Sequence, residues 1–153
     1  MMTKNSNPKL LAVASSGGHW IQLQRLRPAF ENCEVEYMST ADFRSSDLDG
    51  KLHIVKDANL SEIRKTVVMF AQVLYVMLKV RPDIIVSTGA APGFAAIMYG
   101  RLMFKRTVWI DSIANSEQLS KSGKAAKFCA TAWLTQWQNL ETDHGPKYWG
   151  NVL

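Results

Sequence analysis

Short apolar runs alternate along the chain with longer segments of helical periodicity. The first short run, residues 9–14, is continuously apolar after Lys9 and is followed by Ser-Ser-Gly-Gly. Such a run predicts a strand that is buried on both faces of a sheet. Further short runs predict strands at 34–38, 52–55, 83–87, 107–110 and 133–135.

The longer segments predict helices at 19–30, 60–80, 93–104 and 117–129. In the second of these, Asn59 is expected to be the N-cap, because Glu62 follows three residues later as in a capping box. The same helix should end before Arg81, which precedes Pro82 and is therefore disfavoured in the helical region. The tail from residue 138 is polar and is predicted to be irregular.

Strands that alternate with helices over short connections are typical of an α/β fold. The expected architecture is a Rossmann-like, open, mostly parallel sheet with helices on both faces, in a single domain spanning residues 1–153. In such sheets ligands bind at the carboxyl ends of the strands, near the point where the strand order reverses. Two loops that contain glycines follow predicted strands, at 15–19 and 88–93, and are the candidate ligand-binding loops.

Composition and charge argue against several classes of function. The two cysteines, Cys33 and Cys129, have neither metal-site nor disulfide-framework spacing, which favours a reducing compartment. No secretory signal is visible, and the longest apolar stretch, 67–78, is too short to span a bilayer. A formal net charge of +5 is compatible with an anionic substrate, an anionic membrane or nucleic acid. Nucleic acid is the least favoured, because the basic residues are scattered and no nucleic-acid-binding motif is present.

The first glycine loop, Ser15-Ser16-Gly17-Gly18-His19, opens into a predicted helix. Its glycines let the backbone approach a ligand closely, and the free N–H groups of the helix start suit a phosphate or diphosphate. His19 could act as a general base or donate a hydrogen bond to the ligand. A structural tight turn with a capping histidine accounts for the loop equally well.

Nucleotide cofactor motifs are absent from both loops. The spacing is neither GxGxxG nor GxxxxGK[ST], which argues against NAD binding and against a P-loop ATPase. The second loop, which begins at Thr88-Gly89, could complete an acceptor cleft or form a compact strand-to-helix turn. No cofactor and no metal ion are expected.

An ordered set of motifs resembles a known family. The motifs are Ser16-Gly17-Gly18-His19, Pro82 to Ile85 with Thr88-Gly89, Ile110-Asp111-Ser112, Leu119 to Lys124, Thr135-Gln136-Trp137 and Tyr148-Trp149-Gly150. Together they resemble the membrane-associated subunit of the split eukaryotic N-acetylglucosaminyltransferase of dolichol-linked oligosaccharide synthesis. They resemble even more the bacterial PssD-type subunits of exopolysaccharide and capsule synthesis.

The resemblance implies the N-terminal, acceptor-binding half of a GT-B glycosyltransferase whose donor-binding half is a separate chain. The enzyme would move a sugar from a nucleotide donor, usually UDP-linked, to a polyprenyl-diphosphate-linked sugar, and the chain alone would be inactive. His19 would be the catalytic residue. The acceptor and its diphosphate would lie at Ser16, Gly17, Gly18, Thr88, Gly89, Asp111 and Ser112.

The sequence departs from the family at two places. Asp111 replaces the usual Glu, and Asn115 stands where an Arg is common, which removes a fixed charge from the expected cleft. The N-terminal membrane helix of the eukaryotic subunit is also absent, so attachment to the inner face of the cytoplasmic membrane should be peripheral or through a partner. The length of 153 residues suits one of the two domains of a GT-B enzyme.

Membrane or partner contact is expected at three places. The predicted helix 60–80 and the segment 93–106 both combine bulky apolar with basic residues, although either could simply pack on the sheet. In the second segment the candidates are Arg101, Phe104, Lys105 and Arg106. Trp137 and Trp149 are candidate anchors for the donor-binding subunit, or fold back on the sheet. The alternative function is a non-catalytic scaffold that recruits a partner glycosyltransferase to the membrane.

Overall fold

The computed structural model describes residues 6–43, 48–59 and 61–152. Its strands are β1 (Lys9–Val13), β2 (Glu34–Ser39), β3 (Leu52–Ile54), β4 (Ile84–Ser87), β5 (Arg106–Ile110), β6 (Ala132–Thr135) and β7 (Lys147–Tyr148). The α-helices are α1 (Gly18–Arg25), α2 (Ile63–Val80), α3 (Ala90–Leu102) and α4 (Lys121–Ala126). Short 3-10 helices cover Arg27–Phe30 and Gln138–Leu140.

The strands form one parallel sheet in the order β3-β2-β1-β4-β5-β6-β7. The chain builds outward from β1 to β3 and then returns to place β4 on the other side of β1. Val13, the last residue of β1, is paired with Met38 on β2 and with Ser87 on β4. The order therefore reverses between β1 and β4, and a crevice is expected above their carboxyl ends. The predicted α/β class is confirmed, with every strand pair parallel rather than most of them.

Helices cover both faces of the sheet, and for this reason the first strand is apolar at every position after Lys9. Leu11 and Val13 point to one face, where they join a core with α2, α3, α4 and the fully buried Trp109. Leu10 and Ala12 point to the other face, where α1 and the first 3-10 helix cover them. Because successive strand residues face opposite sides, burial on both faces demands apolar residues at every position.

The second helix begins later than predicted, and the capping box is wrong. Helix α2 starts at Ile63, and neither Asn59 nor Glu62 caps it through a side chain. Instead, the backbone carbonyl of Asn59 accepts hydrogen bonds from the Glu62 N–H (2.8 Å) and the Thr66 hydroxyl (3.1 Å). The Glu62 carboxylate pairs with Lys65 at 2.6 Å. The predicted first residue, Leu60, lies outside the described residues.

Other boundaries also differ from the prediction. Helix α4 covers only Lys121–Ala126. It starts at Lys121 because Ser120 caps it by accepting a hydrogen bond from the Gly123 N–H (2.8 Å). Helix α3 begins earlier, at Ala90, and ends before Phe104, whose φ of 57° is left-handed. The predicted helix 19–30 is divided into α1 and a 3-10 turn at Pro28. The tail is not wholly irregular, since it contributes the edge strand β7.

Two adjacent residues of α2 allow a matched test of its packing. Met77 is fully buried against the sheet, whereas the side chain of Leu78 is 58% exposed. Met77→Ala should lower the free energy of unfolding by about 2–5 kcal/mol, because it leaves a cavity in the core. Leu78→Ala should change it by no more than about 0.5 kcal/mol. Urea unfolding of the two variants measures the difference, and equal losses would contradict the orientation of α2.

Candidate functional site

The two glycine loops meet at the switch point and are held together by a reciprocal pair of hydrogen bonds. The His19 ring contacts the Thr88 carbonyl oxygen through Nδ1 at 2.9 Å. In return, the Thr88 hydroxyl donates to the His19 carbonyl oxygen at 2.7 Å. Thr88 is fully buried and His19 is half-buried. The loop after β1 and the loop after β4 therefore form one structural unit.

The contact with Thr88 also fixes the tautomer of His19. A carbonyl oxygen can only accept, so Nδ1 must carry the hydrogen in this contact. In the neutral ring the lone pair is then on Nε2. A histidine held in this way can take a proton from a ligand hydroxyl through Nε2 while its orientation is kept by Nδ1.

Gly89 leaves the space that the His19 ring occupies. A Cβ atom at this position would lie 2.5 Å from both Cε1 and Nδ1 of that ring. Its φ of 138° also lies in the region that favours glycine. A further hydrogen bond stabilises the turn, in which the Gly89 N–H donates to the Ser87 hydroxyl at 3.1 Å.

The first loop presents an open backbone surface. Ser16, Gly17 and Gly18 are exposed, and a Cβ atom at either glycine would meet no atom within 4 Å. Gly17 has a φ of 80°, and the Ser16 N–H is tied to the Thr40 hydroxyl at 3.0 Å. The first N–H groups of α1 have no acceptor inside the helix and point toward this opening. The loop can therefore receive an anion.

Asp111, a predicted acceptor contact, is buried with 1% of its surface exposed. Its carboxylate accepts hydrogen bonds from Trp109 Nε1 (3.2 Å), Asn115 Nδ2 (3.1 Å) and both the N–H (3.0 Å) and hydroxyl (2.6 Å) of Ser120. Its direct effect is to fold the loop between β5 and α4. Asn115 is one of the donors that satisfy this carboxylate.

A buried glutamine pair supports the same region, and the sequence motifs did not reveal its importance. Gln22 of α1 donates to the Ser112 hydroxyl at 3.2 Å and accepts from Gln136 Nε2 at 2.8 Å. Gln136 also donates to the Asp111 carbonyl oxygen (2.9 Å) and accepts from the Val152 N–H (3.0 Å). The sequence did contain one signal, which was a pair of amide side chains within otherwise apolar segments. Because buried amides require hydrogen-bond partners, these two glutamines could have been expected to belong to a polar network.

The two predicted tryptophan anchors occupy different environments. Trp137 is half-buried, and its Nε1 donates to the Ile113 carbonyl oxygen at 2.7 Å. Trp149 is 75% exposed and borders a cavity of about 180 Å³ between α1, β6 and the C-terminal segment. Arg25 holds that segment by donating to the Val152 carbonyl oxygen at 2.8 Å. Trp149 is thus displayed at the surface, while Trp137 stabilises the loop after β5.

The predicted basic group lies at the amino ends of the strands, whereas His19 lies at their carboxyl ends. Arg101 is near the end of α3, and Phe104, Lys105 and Arg106 lead into the amino end of β5. Phe104 is 95% exposed, and Lys105 pairs with Asp83 at 3.5 Å. These residues are not brought together with the glycine loops.

The described residues offer neither a metal centre nor a disulfide. Within them, no group of three or more His, Cys, Asp or Glu side chains could hold a metal ion. Cys33 and Cys129 are half-buried free thiols. Desolvation by burial raises the pKa of Cys129, and the nearby charge of Arg101 offsets this in part. In the part of the chain that the structure covers, no helix has both the length and the apolarity to cross a membrane.

The family is identified by comparison of the sequence. The model of the Alg14-like oligosaccharide biosynthesis proteins matches residues 50–152. The chain belongs to this family. The mouse UDP-N-acetylglucosamine transferase subunit ALG14 is 24% identical to it, over 99% of this chain and 86% of the mouse protein. The expected relationship to the eukaryotic split transferase is confirmed at the level of the family.

Solved structures share the fold. MurG of Acinetobacter baumannii superposes with a TM-score of 0.67 at 12% identity, over 92% of this chain and 43% of MurG. UDP-N-acetylglucosamine 2-epimerase of Rickettsia bellii gives a TM-score of 0.67 at 11% identity, over 88% of this chain and 40% of the epimerase. The Alg14-like chain therefore spans about two fifths of these structures, and the Rossmann-like, GT-B-type fold is confirmed.

The role of Gly89 in seating His19 can be tested with a second glycine. Gly150 also has a left-handed φ, 115°, but a Cβ there would meet nothing within 4 Å. Gly150→Ala should cost about 1–3 kcal/mol from backbone strain alone. Gly89→Ala should cost more, and should shift the imidazole NMR signals of His19, because the ring must move. Equal losses in thermal denaturation with unchanged His19 signals would contradict this role.

Proposed function

We propose that this Alg14-like chain is the acceptor-binding subunit of a two-chain glycosyltransferase. The enzyme moves a sugar from a UDP-linked donor, N-acetylglucosamine in the mouse relative, to a polyprenyl-diphosphate-linked sugar. The observation that carries this proposal is the reciprocal His19–Thr88 pair, which places an oriented imidazole beside an open glycine loop. The setting we propose is exopolysaccharide or capsule synthesis of the PssD type.

The proposed chemistry uses His19 as a general base. Nε2 takes the proton of the acceptor hydroxyl as the hydroxyl oxygen forms a bond to the anomeric carbon of the donor sugar. The bond between that carbon and the diphosphate of UDP breaks, and UDP leaves with the electron pair. The hydrogen bond from Nδ1 to the Thr88 carbonyl oxygen holds the ring in the orientation that this proton transfer needs.

The acceptor diphosphate is proposed to bind at the first glycine loop. The exposed backbone of Ser16, Gly17 and Gly18 and the first N–H groups of α1 supply hydrogen-bond donors and a positive helix end. Thr88 and Gly89 form the facing wall. Asp111 and Ser112 are positioning residues in this scheme, because their side chains shape the neighbouring loop through Asn115, Ser120 and Gln22.

The donor-binding partner is proposed to cover the carboxyl edge of the sheet. That edge carries the glycine loops, so a shared cleft would bring the donor sugar to His19. Trp149 supplies an exposed aromatic contact beside the cavity of the C-terminal segment. Trp137 would contribute through the loop that it stabilises.

Peripheral contact with the inner face of the cytoplasmic membrane is proposed for α2 rather than α3. The α2 outer face consists of Ile63, Val67, Ala71, Tyr75 and Leu78, spaced three or four residues apart and all exposed. The helix contains no acidic residue and has basic residues at both ends, as expected at an anionic lipid surface.

The central part of α3 is a weaker candidate, because it packs in the core. Ala95, Ala96 and Ile97 are fully buried, and large exposed apolar side chains appear at its end, at Leu102 and Phe104. The basic group around Phe104 is a second candidate contact.

The catalytic role of His19 separates the enzyme from the alternative scaffold. The purified chain should not transfer sugar alone, and should do so with its partner, a UDP-sugar and a polyprenyl-diphosphate sugar. In that mixture His19→Ala should lower kcat by about 10²–10⁴-fold, the usual contribution of a general base. His144→Ala is the matched control, since His144 is exposed in the tail. Unchanged turnover in His19→Ala would favour the scaffold.

Membrane contact through the α2 outer face predicts selective loss of vesicle binding. The wild-type chain should sediment with phosphatidylglycerol-containing vesicles more than with phosphatidylcholine vesicles, and less at high salt. A double variant, Val67→Asp with Tyr75→Asp, should abolish sedimentation. Ile21→Asp, at a 55% exposed position on the opposite face of the sheet, should not. Loss of binding in Phe104→Asp alone, with the double variant unaffected, would contradict the α2 assignment.

A further inference from the structure

Two cavities of opposite character adjoin each other beside the second glycine loop. The polar one has a volume of about 520 Å³ and is lined by Asp57, Ala58, Asn59, Glu62, Lys65, Ala91 and Ser122. The apolar one, about 120 Å³, is lined by Phe70, Ala91, Phe94, Lys121, Ser122 and Ala125. The two share Ala91 and Ser122 and therefore lie side by side.

The apolar cavity is a groove between three helices. Phe70 comes from α2, Phe94 from α3 and Ala125 from α4. The ring of Phe70 packs edge-on against Tyr99, with 6.2 Å between centroids and 74° between planes, which fixes its orientation. Phe70, Phe94 and Ala125 are all only partly buried, so the groove is open to a ligand. Its width depends on the small side chains of Ala91 and Ala125.

One end of the groove leads to the α2 outer face. On a helix, residues three and four apart are neighbours, so Phe70 lies next to Val67 and Leu74. Val67 belongs to the α2 outer face and is 63% exposed, and Leu74 is partly exposed. Phe70 is thus the residue that connects the groove with the apolar side chains of the face that we assign to the membrane.

The other end of the groove leads toward the second glycine loop, which contacts His19. Ala91 stands two residues after Gly89, which seats the His19 ring. The polar cavity begins at the same residue and offers carboxylate, amide and ammonium groups, including the Glu62–Lys65 pair. At the border of the groove, Lys121 is exposed and carries a positive charge. Lys121 supplies a positive charge beside the apolar groove, which suits a ligand that joins an anionic group to an apolar chain.

We propose that the groove between Phe70, Phe94 and Ala125 binds the first isoprene units of the lipid-linked acceptor. The diphosphate would lie toward the glycine loop, the chain would pass over Ala91 through the groove, and the remainder would enter the bilayer along the α2 outer face. This inference rests on the proposed function and adds a site for the lipid part of the substrate. It makes the subunit selective for a prenyl chain and not only for the diphosphate sugar.

The groove can be filled without changing the glycine loops. Ala125→Trp places a large side chain in the groove, and Ala125→Leu is a milder variant in case the first disturbs folding. Ala29→Trp is the matched control, since Ala29 is exposed on the opposite face of the sheet. Circular dichroism verifies that each variant is folded before it is compared.

Transfer by the complete two-chain complex in detergent gives the first readout. Two acceptors are compared: a polyprenyl-diphosphate sugar, and an analogue in which an ethyl group replaces the polyprenyl chain. Ala125→Trp should raise KM for the polyprenyl acceptor about tenfold and leave kcat and the analogue's KM unchanged, because it removes only apolar contacts. An equal effect on both acceptors, or on neither, overturns the groove and leaves the proposed function standing. Failure of the wild-type complex to use either acceptor overturns the proposed function.

Binding to the chain alone gives a readout that does not require activity. Farnesyl diphosphate should bind more tightly than inorganic diphosphate, as measured by calorimetry. Ala125→Trp or Ala125→Leu should weaken farnesyl diphosphate binding about tenfold without affecting inorganic diphosphate. Equal affinity of the wild-type chain for both ligands contradicts the inference, as does a loss of the same size in Ala29→Trp.

Discussion

The candidate site depends on the reciprocal hydrogen bonds between His19 and Thr88. They join the loop after β1 to the loop after β4, the two strands between which the sheet order reverses. Each residue uses its side chain to bind the backbone carbonyl oxygen of the other, so the two side chains are held by backbone positions that the sheet fixes. Gly89 makes it possible by leaving room for the ring. Both the tautomer of His19 and its placement beside the open loop follow from this contact.

The fold could be predicted from the sequence because burial on both faces of a parallel sheet leaves a local signal. A short run such as β1, apolar at every position after Lys9 and closed by glycines, is typical of a doubly buried strand, and both glycine loops lie where strands give way to helices. The start of α2 was mispredicted because Asn59 supplies its backbone carbonyl, not its side chain, to the preceding turn. Strand β7 was missed because two residues are too few to show a period.

The parts of the site that escaped prediction depend either on the path of an irregular loop or on partners that are distant in the sequence. Asp111 looked like a ligand contact, and only the positions of Trp109, Asn115 and Ser120 show that its carboxylate is already satisfied. Gln22 and Gln136 carried no motif of their own. Sequence spacing predicts neighbours on one helix or strand. The contacts of Asp111 depend instead on the path of the loop after β5, and that of Gln22 with Gln136 depends on which elements the fold brings together.

The Gln22–Gln136 hydrogen bond spans 114 residues, among the longest separations in the described part of the chain. Closing a contact of this kind costs chain entropy, which rises slowly with the number of residues between the partners. Gln136 follows β6 and donates to the Asp111 carbonyl oxygen, so the loop after β5 is supported by a residue from the C-terminal part of the sheet. The loop that follows β5 is therefore held from both ends of the described chain, through Gln22 near its start and Gln136 near its end.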